Sequence, residues 1–177
     1  MKAMLFALAV LVTSPQVAAE TYASPKNRFT LTYAFPWAPA KMVDQEVELS
    51  LLCEKSVCGP TALLSVGAFF DSSLKAGTLS DFLKNANGEA ITQRVRASPM
   101  IERVNILREG RTKLGQVDAY EVVAEMTIQG GRKRIRHTIM TFNAGFVYTF
   151  AIGAPPDSHQ KALDAAKPVL AAFRLTQ

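Results

Sequence analysis

The chain reads as an α+β protein organised around an antiparallel sheet. Three observations predict this. Residues 117–152, VDAYEVVAEMTIQGGRKRIRHTIMTFNAGFVYTFAI, read as three consecutive strands joined by glycine-containing turns. A helix-spaced apolar stripe follows at Ala162, Leu163, Ala166, Val169, Leu170 and Phe173. An earlier stripe at Leu79, Phe82, Leu83, Ala86, Ala90 and Ile91 marks a second helix.

From the N-terminus, Met1–Ala19 has the form of a signal peptide. Lys2 supplies a positive start, Ala3–Val12 an apolar run, and Val17-Ala18-Ala19 the small residues expected before cleavage ahead of Glu20. The apolar run is shorter than the roughly 20 residues that span a bilayer. No later run is long enough either, so residues 20–177 are expected as one domain in the periplasm or outside the cell. Glu20–Lys26 reads as a loose lead. Arg28–Phe35 reads as a strand, with Phe29, Leu31, Tyr33 and Phe35 on one face. Pro36, Trp37 and Pro39 end it. Trp37 reads as a plug at the core edge, with ligand stacking as the competing role.

Val43–Cys53 and Thr61–Phe70 read as two further strands, a hairpin with Cys53 and Cys58 near its tip. In an exported chain such a pair points to a disulfide, with about 2 kcal/mol of stabilisation for so short a loop. A redox pair normally has two intervening residues, not four, and a zinc site would need two more ligands. Thr78–Ala97 is the second helix. Thr78 and Asp81 are spaced as a capping box, and Gly88 weakens its middle. Val104–Glu109 reads as a short strand, and Gly110–Gln116 as a basic turn.

In the meander, Tyr120, Val122, Ala124, Met126 and Ile128 alternate with more polar residues. A two-residue Gly130-Gly131 turn would set Met126 opposite Ile135, Ala124 opposite His137, Glu125 opposite Arg136 and Thr127 opposite Arg134. Phe146–Ile152 is apolar on both sides, as expected of a central strand or one covered on both faces. Asp157 or Ser158 is placed to cap the final helix, and Pro168 is expected to kink or divide it.

No catalytic constellation is visible, so the sequence argues against an enzyme. There is no phosphate-binding glycine loop, HExxH or nucleophile elbow, and the acids are scattered. His137 reads as a satisfied core histidine. His159 lies beside Asp157, too few ligands for a metal site. The net charge of +5 is concentrated at Arg132, Lys133, Arg134 and Arg136. These read as an exposed strand paired with acids, or as a surface for an acidic partner. Nucleic acid is not expected, because stacking aromatics are not interleaved with the charges.

The chain resembles the PsbP-like fold, named for the extrinsic subunit of photosystem II and shared with bacterial DcrB-like envelope proteins. The residues carrying this are Gly115-Gln116-Val117-Asp118-Ala119-Tyr120-Glu121-Val122, Phe146-Val147-Tyr148-Thr149-Phe150-Ala151, Ala172-Phe173-Arg174, and the opening Phe29-Thr30-Leu31 with Pro36-Trp37. The resemblance implies a central antiparallel sheet with helices on both faces, an α/β/α sandwich. It also implies a non-enzymatic role in binding or assembling other proteins. It brings no metal-ligand set or cofactor. The expectation is therefore an exported accessory protein that contacts another envelope protein through its sheet edge or basic hairpin. The alternative is a carrier of a small ligand or metal ion, with a pocket near Trp37, Tyr148 and His159.

Overall fold

The computed structural model describes residues 18–41, 47–74, 77–84 and 87–176. Most of the expected signal segment (1–17), the start of the strand expected from Val43, and Asn85-Ala86 of the expected helix lie outside the described residues.

The fold is α+β and dominated by a large antiparallel sheet. Its seven strands are β3 (Trp37–Pro39), β4 (Val47–Cys53), β5 (Leu63–Phe70), β6 (Ile101–Leu114), β7 (Val117–Ile128), β8 (Arg132–Asn143) and β9 (Phe146–Ala154). Their spatial order is β3-β4-β5-β9-β8-β7-β6, which puts the doubly apolar β9 at the centre. A smaller sheet, β1-β2-β10, joins β1 (Glu20–Ser24), β2 (Phe29–Tyr33) and β10 (Arg174–Leu175). The helices are α1 (Lys55–Cys58), α2 (Leu79–Leu83), α3 (Gly88–Arg96) and α4 (His159–Ala171).

The main core lies on one face of the large sheet, under the small sheet and α4. Phe29 of β2 and Tyr148 and Phe150 of β9 meet Phe173, just beyond α4, with ring centroids 5.3–5.9 Å apart. All four side chains are fully buried. Each contributes roughly 1.5–3 kcal/mol by leaving water. Trp37 closes one end of this core, its indole N–H donating to the Ala165 carbonyl at 2.9 Å. Glu48 of β4 ties the two sheets together by accepting from Tyr22, Ser24 and Asn27 at 2.7–3.0 Å.

The structure corrects several expectations. Glu20–Ser24 is not a loose lead but a strand paired along its length with β2. The short strand at Val104–Glu109 is 14 residues long, and Gly115-Gln116 alone makes the turn after it. The helix expected over 78–97 is two. The Thr78–Asp81 capping box opens α2, and Asn87 caps α3 by accepting from the Ala90 amide. Pro168 does not divide α4. Its position faces solvent, so water can satisfy the Asp164 carbonyl that loses its helical partner. The α/β/α sandwich is met in part: the core face is covered by a small sheet as well as α4, and the helices are few and short.

The β7–β8 register also differs by one residue. Ile128 opposes Arg132, Ala124 opposes Arg136 and Val123 opposes His137. The loop is three residues long, because Gln129 is drawn out of the ladder. Its amide donates to the Met100 carbonyl at 2.9 Å, and its side-chain amide to the Pro99 carbonyl at 3.0 Å. Gly130 and Gly131 then turn the chain at φ of 82° and 72°, which glycine adopts without penalty. With a period of two, this single step exchanges the faces assigned to β8 relative to β7.

Candidate functional site

The shifted register decides where the charged hairpin goes. Arg134 and Arg136 do not oppose the acids of β7; they lie on the sheet face away from the main core. Arg134 is occupied by the fold: its guanidinium donates to the Thr61 hydroxyl and carbonyl and to the Gly153 carbonyl at 2.7–3.0 Å. Lys133 pairs with Glu125 at 2.9 Å. Arg132 and Lys133 are exposed, whereas Arg134 and Arg136 are partly buried. The four cations therefore do not form one open surface.

Arg136 instead lines a cavity of about 640 Å³ between this sheet face and helices α2 and α3. The strands make the floor in registered rows. Arg136 and Gly153 form the first, Thr138, Ala151 and Ser65 the second, and Met140, Thr149 and Gly67 the third. These floor residues are mostly small, and that leaves the space open. Phe82 of α2 and Ala90, Ile91 and Val95 of α3 line the helical side. Phe82 is positioned by stacking on Phe142 of β8, with centroids 6.4 Å apart. The Thr78 cap fixes the start of α2, and an Arg111–Ser80 hydrogen bond of 2.8 Å ties the helix to β6. Gly88 lets α3 approach β6, since a side chain there would meet the Glu109 carboxylate and Ile106. Phe69 lines the same cavity and is half exposed.

The cavity is polar at one end and aromatic at the other. Among the described residues Arg136 makes one hydrogen bond, from Nε to the Thr138 hydroxyl at 3.3 Å, and pairs with no carboxylate. Burial lowers its pKa from the usual arginine value. It remains a cation at neutral pH, because guanidinium is not deprotonated in proteins.

The residues expected at a ligand pocket are not brought together. Trp37 and Tyr148 are main-core side chains, and neither lines this cavity. Burial pushes the Tyr148 hydroxyl up to about 12, and it donates to the Asn27 carbonyl at 2.9 Å. His159 lies 6.2 Å from His137, ring to ring, on the core face. His137 is buried, with Nε2 at 2.6 Å from Glu121. His137 Nδ1 and His159 Nε2 have no partner among the described residues. Burial lowers the pKa of both rings. For His137, Glu121 opposes that shift and Arg108 adds to it; for His159, His137 and Arg108 add to it. Both are therefore neutral at pH 7. A shallower concavity of about 310 Å³ beside His137 is lined by Arg108, Glu121, Lys113 and Lys167. Its cations are engaged with Glu121, Asp118 and Asp164. Among the described residues no three His, Cys, Asp or Glu side chains gather as metal ligands.

Cys53 and Cys58 form a disulfide, as expected, across the one-turn helix α1. Among the described residues no helix is long and apolar enough to cross a membrane.

No protein-family model and no curated protein matches the chain by sequence. Solved structures do match. Cyanobacterial PsbP (CyanoP) from Synechocystis superposes over 97% of this chain and 98% of its own, at 14% identity and a TM-score of 0.62. A protein from Bacteroides thetaiotaomicron matches 89% of this chain and 48% of its own, at 14% identity and a TM-score of 0.54. A protein of unknown function from Pseudomonas aeruginosa matches 86% and 94%, at 13% identity and a TM-score of 0.52. At these identities the likeness is one of fold, and the fold is PsbP-like.

Proposed function

Starting from a PsbP-like fold whose cavity carries a guanidinium without a carboxylate partner among the described residues, we propose that this chain is a non-enzymatic accessory protein that acts outside the cytoplasm by holding a small ligand. The observation that carries this reading is the 640 Å³ space itself, floored by Ser65, Gly67, Thr138, Thr149 and Ala151. Protein interiors are normally close-packed. A mostly apolar cavity of this size with a few polar groups is the usual form of a ligand site. The sheet then acts as a middle layer, with α4 on the core face and α2 and α3 over the cavity. The Cys53–Cys58 disulfide suits an oxidising compartment, and the Met1–Ala19 pattern suits export with cleavage near Ala19. The region near Trp37, Tyr148 and His159 is set aside as the pocket because two of the three side chains fill the core.

The test is binding of the neutral apolar dye N-phenylnaphthylamine. Its fluorescence should rise with the native protein and fail to rise with Ala151→Phe, a substitution that fills the cavity floor. Equal binding by the native protein and a folded Ala151→Phe variant would overturn the assignment of the site.

A second reading, contact with another envelope protein, is favoured by β6. This 14-residue strand forms one edge of the large sheet and exposes Leu107. Exposed edges accept added strands. Native mass spectrometry of the protein from its host envelope should then show a protein-sized added mass that a β6 Leu107→Pro variant loses. Retention of that mass by the variant would sink the edge reading.

A further inference from the structure

The cavity has a direction, and the direction identifies a ligand class. Arg136 stands in the first floor row, with the Thr138 hydroxyl beside it in the second. Phe82 and Phe69 lie toward the other end, where β8 and β5 run on to Phe142 and Phe70. We propose that the site takes an amphipathic monoanion, a medium-chain carboxylate, with its headgroup on the Arg136 guanidinium and its chain along the floor toward Phe82 and Phe69. This rests on the reading of the cavity as a ligand site and adds the chemistry of the occupant.

The argument is one of charge and satisfaction. A guanidinium has five N–H donors in a planar fork that matches a carboxylate with two parallel hydrogen bonds. Arg136 uses one of them, on Thr138, among the described residues. An arginine with only structural work to do looks like its neighbour Arg134, whose guanidinium makes three hydrogen bonds to the fold. A buried cation without a counter-ion is costly, and a bound carboxylate removes that cost. Among the described residues the cavity supplies one cation, so a singly charged headgroup balances it. Val95, Ile91, Ala90, Met140 and the two phenylalanines give much of the rest of the lining a surface that suits hydrocarbon. The half-exposed Phe69 gives the apolar end a solvent-facing rim.

The experiment is displacement of N-phenylnaphthylamine from the full chain at pH 7.5 by dodecanoate and by dodecanol, each below its aggregation limit. Dodecanoate should bind at least about ten-fold more tightly, the effect of charge-assisted hydrogen bonds in a shielded site. Arg136→Met should abolish that preference, so that the two probes bind the variant with equal affinity. Arg136→Lys should keep part of it, since it keeps the charge and loses the fork. Equal affinity for the two probes in the native protein would overturn the anionic anchor and leave the cavity reading standing. Failure of dye and both probes to bind would overturn both. Asp44 and Glu46 lie in the stretch outside the described residues. If a D44N/E46Q variant binds dodecanoate about ten-fold more tightly than the native protein, the chain's own acid is the partner of Arg136 and the proposal falls.

Discussion

Replacing Arg136 by Met should stabilise the ligand-free protein. Methionine keeps the length of the stem and suits a cavity walled by Val95, Ile91 and Met140. The loss is one hydrogen bond, Arg136 Nε to the Thr138 hydroxyl at 3.3 Å, worth about 1 kcal/mol. The gain is removal of a partly buried cation without a carboxylate partner among the described residues. For a fully buried ion that penalty is several kcal/mol. The cavity leaves Arg136 partly accessible, so about 2–3 kcal/mol is the appropriate scale. The net expectation is a variant more stable by about 1–2 kcal/mol. In a domain of this size that raises the melting temperature by roughly 2–8 °C. The assay is equilibrium urea unfolding of ligand-free protein, followed by Trp37 fluorescence and far-UV circular dichroism, with the disulfide intact. Saturating dodecanoate should narrow the gap by about 1.4 kcal/mol, the equivalent of a ten-fold difference in affinity, because the native protein gains more stability from binding than the variant does. A ligand-free variant less stable than native by more than about 1 kcal/mol would refute the reasoning, for it would mean that the guanidinium serves the fold.

Three further outcomes follow from the core and the core-face histidines. Tyr148→Phe leaves the Asn27 carbonyl without the 2.9 Å bond it receives in the core, so urea unfolding should show a loss of about 1–2 kcal/mol; a neutral change would mean that the carbonyl finds another donor. His137 and His159 have folded pKa values below the ordinary histidine value, so the unfolded chain takes up protons first as pH falls. Stability should therefore be full above about pH 6.5 and decline below it until the folded rings protonate. The groups facing the pair are Glu121, Arg108 and Lys167, and His159→Gln should flatten the decline between pH 6.5 and 5; an unchanged slope would remove His159 from the account. Reducing the Cys53–Cys58 disulfide should lower stability by about 2 kcal/mol, measured by urea unfolding with and without reductant, and no change would show that α1 closes the loop unaided.

Much of the fold was legible because its signals are local. Alternation along 117–152 marks three strands wherever they end up, and the Thr78–Asp81 pair caps a helix through contacts three residues apart. The Cys53–Cys58 pairing is equally short-range. Glu20–Ser24 and Arg174–Leu175 escaped notice because neither is a persuasive strand alone. Each becomes one by pairing with β2, in the second case from across nearly the whole chain.

The cavity was harder to read. Ser65, Gly67, Thr138, Thr149 and Ala151 are unremarkable singly, and their smallness matters only when three strands align them under two helices. One signal was available: small or polar residues at every second position of 65–67, 138 and 149–151, facing away from the larger apolar ones. The decisive event was the one-residue step at Gln129, set by hydrogen bonds to Pro99 and Met100, some thirty residues earlier. It moved Arg136 from an apparent pair with Glu125 to the wall of an apolar space. By itself the sequence determined the α+β class, the alternation within each strand and the disulfide, because these follow from periodicity and near neighbours. Only the tertiary structure decided the register, the closure of the core around Trp37 and Tyr148, and the placement of Arg136 in the cavity. Those depend on which distant backbone groups compete for the same hydrogen bonds, and no pattern along the chain records that competition.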